Sequence, residues 1–186
     1  MHAYADQGSG RLPAAVVYGK DGKPLLSWRV LILPYVEQKG PFERFRLDEP
    51  WDSPHNIALL PEMPSVYAPP AGKASKIPPY HTVCHVFVGK DTAFEGKEGL
   101  RLSEDFPEGT GNTLLLVEAG KPVPWTKPEE LVYDPDGPLP ELTCLFRDGF
   151  CTRWVDCSGR WISKGRSDAD LRQLIRRHKT AVVTLD

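Results

Sequence analysis

The stretch Glu108–Leu142, EGTGNTLLLVEAGKPVPWTKPEELVYDPDGPLPEL, decides how this 186-residue chain is read. It opens on a turn at Gly109, Gly111 and Asn112, then enters the most apolar strand-like run in the chain, Thr113 to Val117. A continuous apolar run of that length, bounded by turn residues, suits a strand buried on both faces. A proline-punctuated excursion follows, from Gly120 past Trp125 to Pro140, too rich in proline for regular structure. It nevertheless carries Val123, Trp125, Leu131, Tyr133 and Leu139. A loop with so many large apolar groups is expected to pack against the body of the protein.

Upstream, Met1 to Asp6 reads as the end of a helix and Leu12 to Tyr18 as an extended segment before a tight turn at Lys20 to Lys23. Ser27 to Gln38 has Trp28, Leu31, Ile32, Tyr35 and Val36 at helical spacing behind an N-cap serine. Pro34 predicts a kink there, or two short pieces. Phe42 to Leu47 reads as a further helical turn. Ser53 and Pro54 start a short helix that ends near Leu60. Ser65 to Pro79 reads as an irregular connection with a mobile part at Ala71 to Lys76, and His81 to Val88 as a strand.

Downstream, Cys151 to Val155 and Arg160 to Ser163 form a predicted hairpin, with Gly159 supplying the positive φ that such turns need. Ser167 caps a last helix with Leu171, Leu174 and Ile175 on one face. Val182 to Leu185 is either a terminal strand or frayed. The sum is an α+β fold in a single domain over residues 1–186. Helical segments come first, then an antiparallel sheet of about four strands with a long Pro-rich loop, closed by a C-terminal helix.

The net charge of -2 offers no electrostatic footprint for nucleic acid. The basic run Arg172, Arg176, Arg177, His178 and Lys179 falls in the last turns of the predicted helix, where cations complement the helix dipole. No stretch approaches the roughly 20 apolar residues of a membrane span, and no signal peptide opens the chain. The expectation is a soluble chain without membrane contact of its own. The four cysteines lack CxxC spacing. They read as free thiols, as a disulfide among Cys144, Cys151 and Cys157, or, last, as a metal site.

Four runs carry a family resemblance: DGKPLLSWRVLILPYVEQ at 21–38, LDEPWDSPHN at 47–56, VYAPP at 66–70 and VEAGKPVPWTKPEELVYDPDGPLPEL at 117–142. They closely resemble the bacterial domain of unknown function fifteen-fifty-nine family, whose members carry prepilin-type cleavage and methylation N-termini. The resemblance implies a globular head like those of type IV pilins and type II secretion pseudopilins, here without the N-terminal membrane helix. It implies a place in the cell envelope, anchored in the cytoplasmic membrane with the head outside. It also implies other pilin-like subunits or envelope proteins as partners. Family members usually show a hairpin turn of aspartate, glycine and serine. This chain reads Asp156-Cys157-Ser158-Gly159, which predicts altered turn geometry.

The chemistry expected of these residues is limited. Asp52, Ser53 and His55 are sequence neighbours, and a triad has to assemble across a fold. There is no G-x-S-x-G elbow, phosphate-cradling loop or H-E-x-x-H motif, so no catalysis and no cofactor are expected. Asp134 and Asp136, with Asp148 or Asp156, are candidate oxygen ligands for calcium, an ion that major pseudopilins hold in late loops. Asp134 to Gly137 also reads simply as a turn initiator, the reading preferred over calcium. Trp51 and Trp125, each flanked by proline and charge, are the tryptophans expected to be partly exposed. With Tyr133 they form a candidate binding surface. The expected function is a non-catalytic, pseudopilin-like structural or interaction domain. The alternative is a soluble module on the same scaffold that binds a small ligand or glycan beside Trp125.

Overall fold

A computed structural model describes residues 1–8, 10–69, 77–142 and 145–179. The expected mobile part at Ala71 to Lys76 and the expected strand at Val182 to Leu185 lie outside the described residues. The contacts gather the chain, read above as one domain, into two compact units. Unit 1 comprises residues 1–83 and 122–129, and unit 2 comprises residues 84–121 and 130–186.

Unit 1 begins with α1 (His2–Gln7), followed by β1 (Val16–Tyr18) and β2 (Pro24–Ser27), which pair antiparallel. The turn between them lies where the sequence predicts it, but β2 is not legible there, because its four residues merge into the helical pattern that follows. That pattern resolves into two short pieces, α2 (Trp28–Leu31) and a 3-10 turn over Leu33–Tyr35 that contains Pro34. Ser27 caps α2 as expected, its hydroxyl accepting from the Arg29 N–H. α3 (Lys39–Arg44) lies a few residues upstream of the expected turn. The helix expected after Ser53 is instead a 3-10 segment, Ile57–Glu62. Ser53 still serves it, since its hydroxyl accepts from the Asn56 N–H at 3.0 Å.

Asn56 is buried and holds the 46–50 segment in place. Its amide donates to the carbonyls of Arg46, Glu49 and Pro50, and its oxygen accepts from the Arg46 N–H. A buried amide with all these bonds satisfied fixes a loop that no regular structure supports. The core of unit 1 is aromatic. Trp125 stacks on Tyr67 at 5.9 Å and meets Phe45 edge-on at 5.7 Å, while Tyr67 meets Trp28 edge-on at 6.0 Å. Two of its three polar tips are satisfied, since Trp125 Nε1 donates to the Leu60 carbonyl and Tyr67 O–H to that of Arg29, while Trp28 Nε1 has no acceptor among the described residues.

The chain passes from one unit to the other inside β3 (His81–His85), and the last strands carry the remainder of the fold. These are β4 (Phe87–Val88), β5 (Leu114–Pro124), β6 (Leu131–Val132), β7 (Gly149–Trp154) and β8 (Gly159–Ser163), followed by α4 (Asp168–Ile175). The main sheet has four strands in the order β3-β5-β7-β8, with β5 to β7 and β7 to β8 antiparallel. β4 and β6 pair parallel as a separate ribbon. The α+β expectation, with a four-stranded sheet and a closing helix, is what the chain forms.

The apolar run lies where the sequence predicts it, with Leu114, Leu115 and Val117 buried. Two adjacent leucines both reach the interior because the register with β7 slips between Leu114 and Leu116. The excursion is more regular than its prolines suggest: β5 continues to Pro124, and Leu131–Val132 forms β6. It also packs down as expected, with Val123, Trp125, Leu131 and Tyr133 buried. In unit 2, Leu174 and Ile175 of α4 join Phe87, Val117, Phe150, Trp154 and Ile162 in one apolar cluster. Ser167 caps α4, its hydroxyl accepting from the Asp170 N–H at 3.1 Å.

The β7–β8 turn corrects one expectation. Cys157 N–H donates to the Trp154 carbonyl, and Trp154 N–H to that of Ser158. This three-residue loop needs a left-handed residue at its end, and Cys157 fills that place with φ 70°. Gly159 is already within β8, facing Arg153. Cysteine therefore takes the conformation that glycine ordinarily takes in such a turn.

Candidate functional site

The polar groups of unit 2 converge on the segment after β4. Gly89 has φ 138° and passes so close to Tyr133 that a Cβ would lie 2.1 Å from the Tyr133 carbonyl oxygen. Two residues on, Asp91 is left-handed, φ 66°, a conformation that Asp tolerates better than most residues. This places its side chain, only 10% exposed, opposite the residues that leave α4. Arg176 Nε donates to Oδ2 at 2.9 Å. His178 N–H donates to Oδ1 at 3.1 Å, and His178 Nδ1 lies 2.6 Å from the same oxygen. Burial pushes the Asp91 carboxyl up, but the bonds from Arg176 and His178 outweigh it and hold it below the ordinary carboxylate value.

Arg177 acts as a clamp beside it. Its guanidinium donates to the carbonyls of Thr92 and Asp105 and to the Glu95 carboxylate. Arg172, one turn earlier, donates to the carbonyls of Asp134, Pro135 and Gly137. Arg172 lies in the last turn of α4 as expected, whereas Arg176, Arg177 and His178 follow the helix. These cations tie two loops to the C-terminal end of α4 through carbonyl and carboxylate oxygens. The sequence shows the cations but not their acceptors, which lie 35 to 87 residues away.

A cleft of about 530 Å³ opens against this cluster, lined by Lys90, Glu95, Asp136, Arg176 and His178 among others. The His178 side chain is 61% exposed. An imidazole oriented through Nδ1 by a carboxylate has Nε2 available to exchange a proton or bind a ligand. Unit 1 carries a second cleft of about 790 Å³, lined by Tyr18, Lys20, Asp21, Leu25, Leu47 and Asp48 among others.

A second buried pair lies between β3 and the start of β6. His85 Nε2 is 2.9 Å from the Lys121 carbonyl, and Nδ1 is 3.6 Å from the Glu130 carboxylate, which accepts from the Val86 N–H. Gly120, φ 105°, makes room for it, since a Cβ there would approach the His85 ring at 3.2 Å. No sequence signal singles out Glu130.

The residues expected to form sites are placed as follows. Asp134 and Asp136 share one turn, in which Asp134 Oδ1 accepts from the Asp136 N–H at 3.0 Å. Asp148 precedes β7, its carbonyl accepting from the Lys164 N–H, and Asp156 sits in the β7–β8 turn. Hydrogen bonds from Ser158 hold the Asp156 carboxyl below its ordinary value. Among the described residues, no three His, Cys, Asp or Glu side chains stand together as a cation set. Trp125 is fully buried, which corrects the expectation that it is partly exposed: the excursion folds its ring into the unit 1 core. Tyr133 is buried in unit 2, while Trp51 is half-buried in unit 1 with the Lys127 ammonium over its ring at 5.8 Å. Cys151 and Cys157 are separate thiols, and Cys144 lies outside the described residues. His55 turns to the Arg44 carbonyl at 2.7 Å while Ser53 caps the following turn, so these neighbours form no triad.

No helix among the described residues is long and apolar enough to cross a membrane. No curated protein and no solved structure matches the chain. One family model does, over residues 1–138, a span that includes Asp91 but not Arg176 or His178. That span is well over half of the 186 residues, and the chain belongs to the family described as Protein of unknown function (DUF1559).

Proposed function

We propose that this chain is a non-catalytic, pseudopilin-like structural or interaction domain of the bacterial cell envelope, with other pilin-like subunits or envelope proteins as partners. Membership of the DUF1559 family supports this reading, as do the four sequence runs that resemble its prepilin-type members. The structural observation that favours it is the use of the polar side chains. Arg172 and Asn56 donate to backbone carbonyls, and Arg177 to two carbonyls and the Glu95 carboxylate, bracing irregular loops. The experiment is to tag the gene product at its native locus, fractionate the cells and cross-link them in vivo. Recovery with the envelope as part of a cross-linked ladder is expected. A monomer confined to the soluble cytoplasmic fraction overturns the proposal.

The cleft beside Asp91 favours a second reading, a module that binds a small ligand. Its site would lie at Lys90, Arg176 and His178 rather than at the buried Trp125. Saturable binding of a small polar ligand, abolished by His178→Ala with the fold intact, supports this reading over the first.

A further inference from the structure

β8 ends the four-stranded sheet, and its outer edge has no strand partner among the described residues. Its pairing with β7 matches Phe150 to Ile162 and Thr152 to Arg160. Backbone bonds from Lys164 to Asp148 and from Trp154 to Ser158 mark the ends of the same alternating ladder. Arg160 and Ile162 therefore turn their peptide groups toward β7, and Gly159 and Trp161 turn theirs outward. Such an edge is a template for a further strand.

The surroundings of that edge select what adds to it. Trp161 is 47% exposed. Its indole lies against Gly149, where a Cβ would approach it at 2.9 Å, and it meets Phe146 edge-on at 5.4 Å. Residues 147–166 carry five basic side chains, Arg147, Arg153, Arg160, Lys164 and Arg166, against only Asp148 and Asp156, in a chain whose net charge is -2. Arg147, Arg153 and Lys164 are exposed, and among the described residues none has an acidic partner within ion-pair distance. A second copy of β8 would bring the same cations against this edge, which disfavours self-pairing.

We propose that β8 binds an extended acidic polypeptide segment by strand addition, with acidic and apolar residues alternating and an apolar side chain against Trp161. The proposal names the partner chemistry of the interaction reading and rests on it. The probe is a capped hexapeptide of alternating Glu and Val, with its Lys/Val counterpart as control, added to the full chain under amide hydrogen exchange read by NMR. Saturating Glu/Val peptide is expected to slow exchange at Gly159 and Trp161 about tenfold or more, as ladder amides do. Affinity should fall several-fold between about 0.1 M and about 1 M salt, as the screening length drops from ~10 Å to ~3 Å. Lys164→Glu, an exposed change that leaves the β7–β8 backbone bonds in place, should weaken binding about threefold to tenfold. An unchanged exchange pattern elsewhere shows that this variant is folded. Three results overturn the inference: no slowing at millimolar peptide, equal slowing by the Lys/Val peptide, or protection of the same amides by protein concentration alone, which identifies a second copy as the occupant. Each leaves the fractionation result standing, so the two proposals fail separately.

Discussion

Replacing Cys157 by glycine tests whether the β7–β8 turn is held in a conformation its residue resists. Cys157 sits at φ 70°, closing a three-residue loop between Trp154 and Ser158. For a residue with a Cβ, the left-handed region costs about 1–2 kcal/mol. Glycine removes that cost but gives back about 0.5–1 kcal/mol through the greater freedom of its unfolded chain. The net expectation for Cys157→Gly is a stabilisation of about 0.5–1 kcal/mol, a rise in Tm of about 1–4 °C for a chain of this size. Calorimetry under reducing conditions reads it directly and keeps thiol oxidation out of the comparison. Cys157→Ala retains the Cβ and should match the parent within about 0.5 kcal/mol. Gly159→Ala places its Cβ 2.7 Å from Arg153 Nη1, the end of a flexible side chain that can swing aside, and should change little. The reasoning is refuted if Cys157→Gly melts no higher than Cys157→Ala, or if alanine at 157 and glycine there stabilise equally.

Gly89→Ala should be severe, because its Cβ would lie 2.1 Å from the Tyr133 backbone oxygen at φ 138°. A loss of about 3 kcal/mol or more is expected, seen as a Tm lower by about 6–12 °C; a neutral result would place the Gly89 turn elsewhere. Trp125→Ala empties the centre of the unit 1 aromatic cluster and strands the Leu60 carbonyl, costing about 3–5 kcal/mol in urea unfolding. Asp91 has a folded pKa below its unfolded value, so its contribution is fully present above the ordinary carboxylate range and is lost as pH falls through the folded pKa. Asp91→Asn should accordingly lose stability at neutral pH and show a shallower decline as pH falls below the ordinary carboxylate range, and parallel parent and variant curves would contradict that sign. Burial, reinforced by Glu118, pushes the Cys151 thiol up, whereas Cys157 is exposed. Iodoacetamide should label Cys157 several-fold faster than Cys151 at pH 8, read by peptide mass spectrometry.

Local chemistry made much of the architecture legible. Ser27 and Ser167 announce helix starts because a cap bond closes within three residues. Leu114 to Val117 announces a buried strand because its composition suits no exposed position. Pro34 divides the second helical segment because its ring and missing donor act on the adjacent turn. The apolar residues of the Pro-rich excursion announce that it packs down, since exposing Trp125, Leu131 and Tyr133 would forfeit several buried side chains' worth of free energy.

Tertiary structure decided what depends on distant partners. The excursion's prolines hide a strand, because β5 persists to Pro124 and β6 pairs with Phe87 and Val88, more than forty residues away. The depth of Trp125 follows from Phe45 and Tyr67 closing over it, which its proline and charged neighbours do not disclose. Asp91, Arg176 and His178 become a site only when α4 returns to the segment after β4, a closure that no local periodicity encodes. A capping bond or an apolar alternation is settled within a few residues of chain. The acceptor for an arginine donor, or the neighbour of a ring, is set by which long-range contacts the whole chain forms on folding.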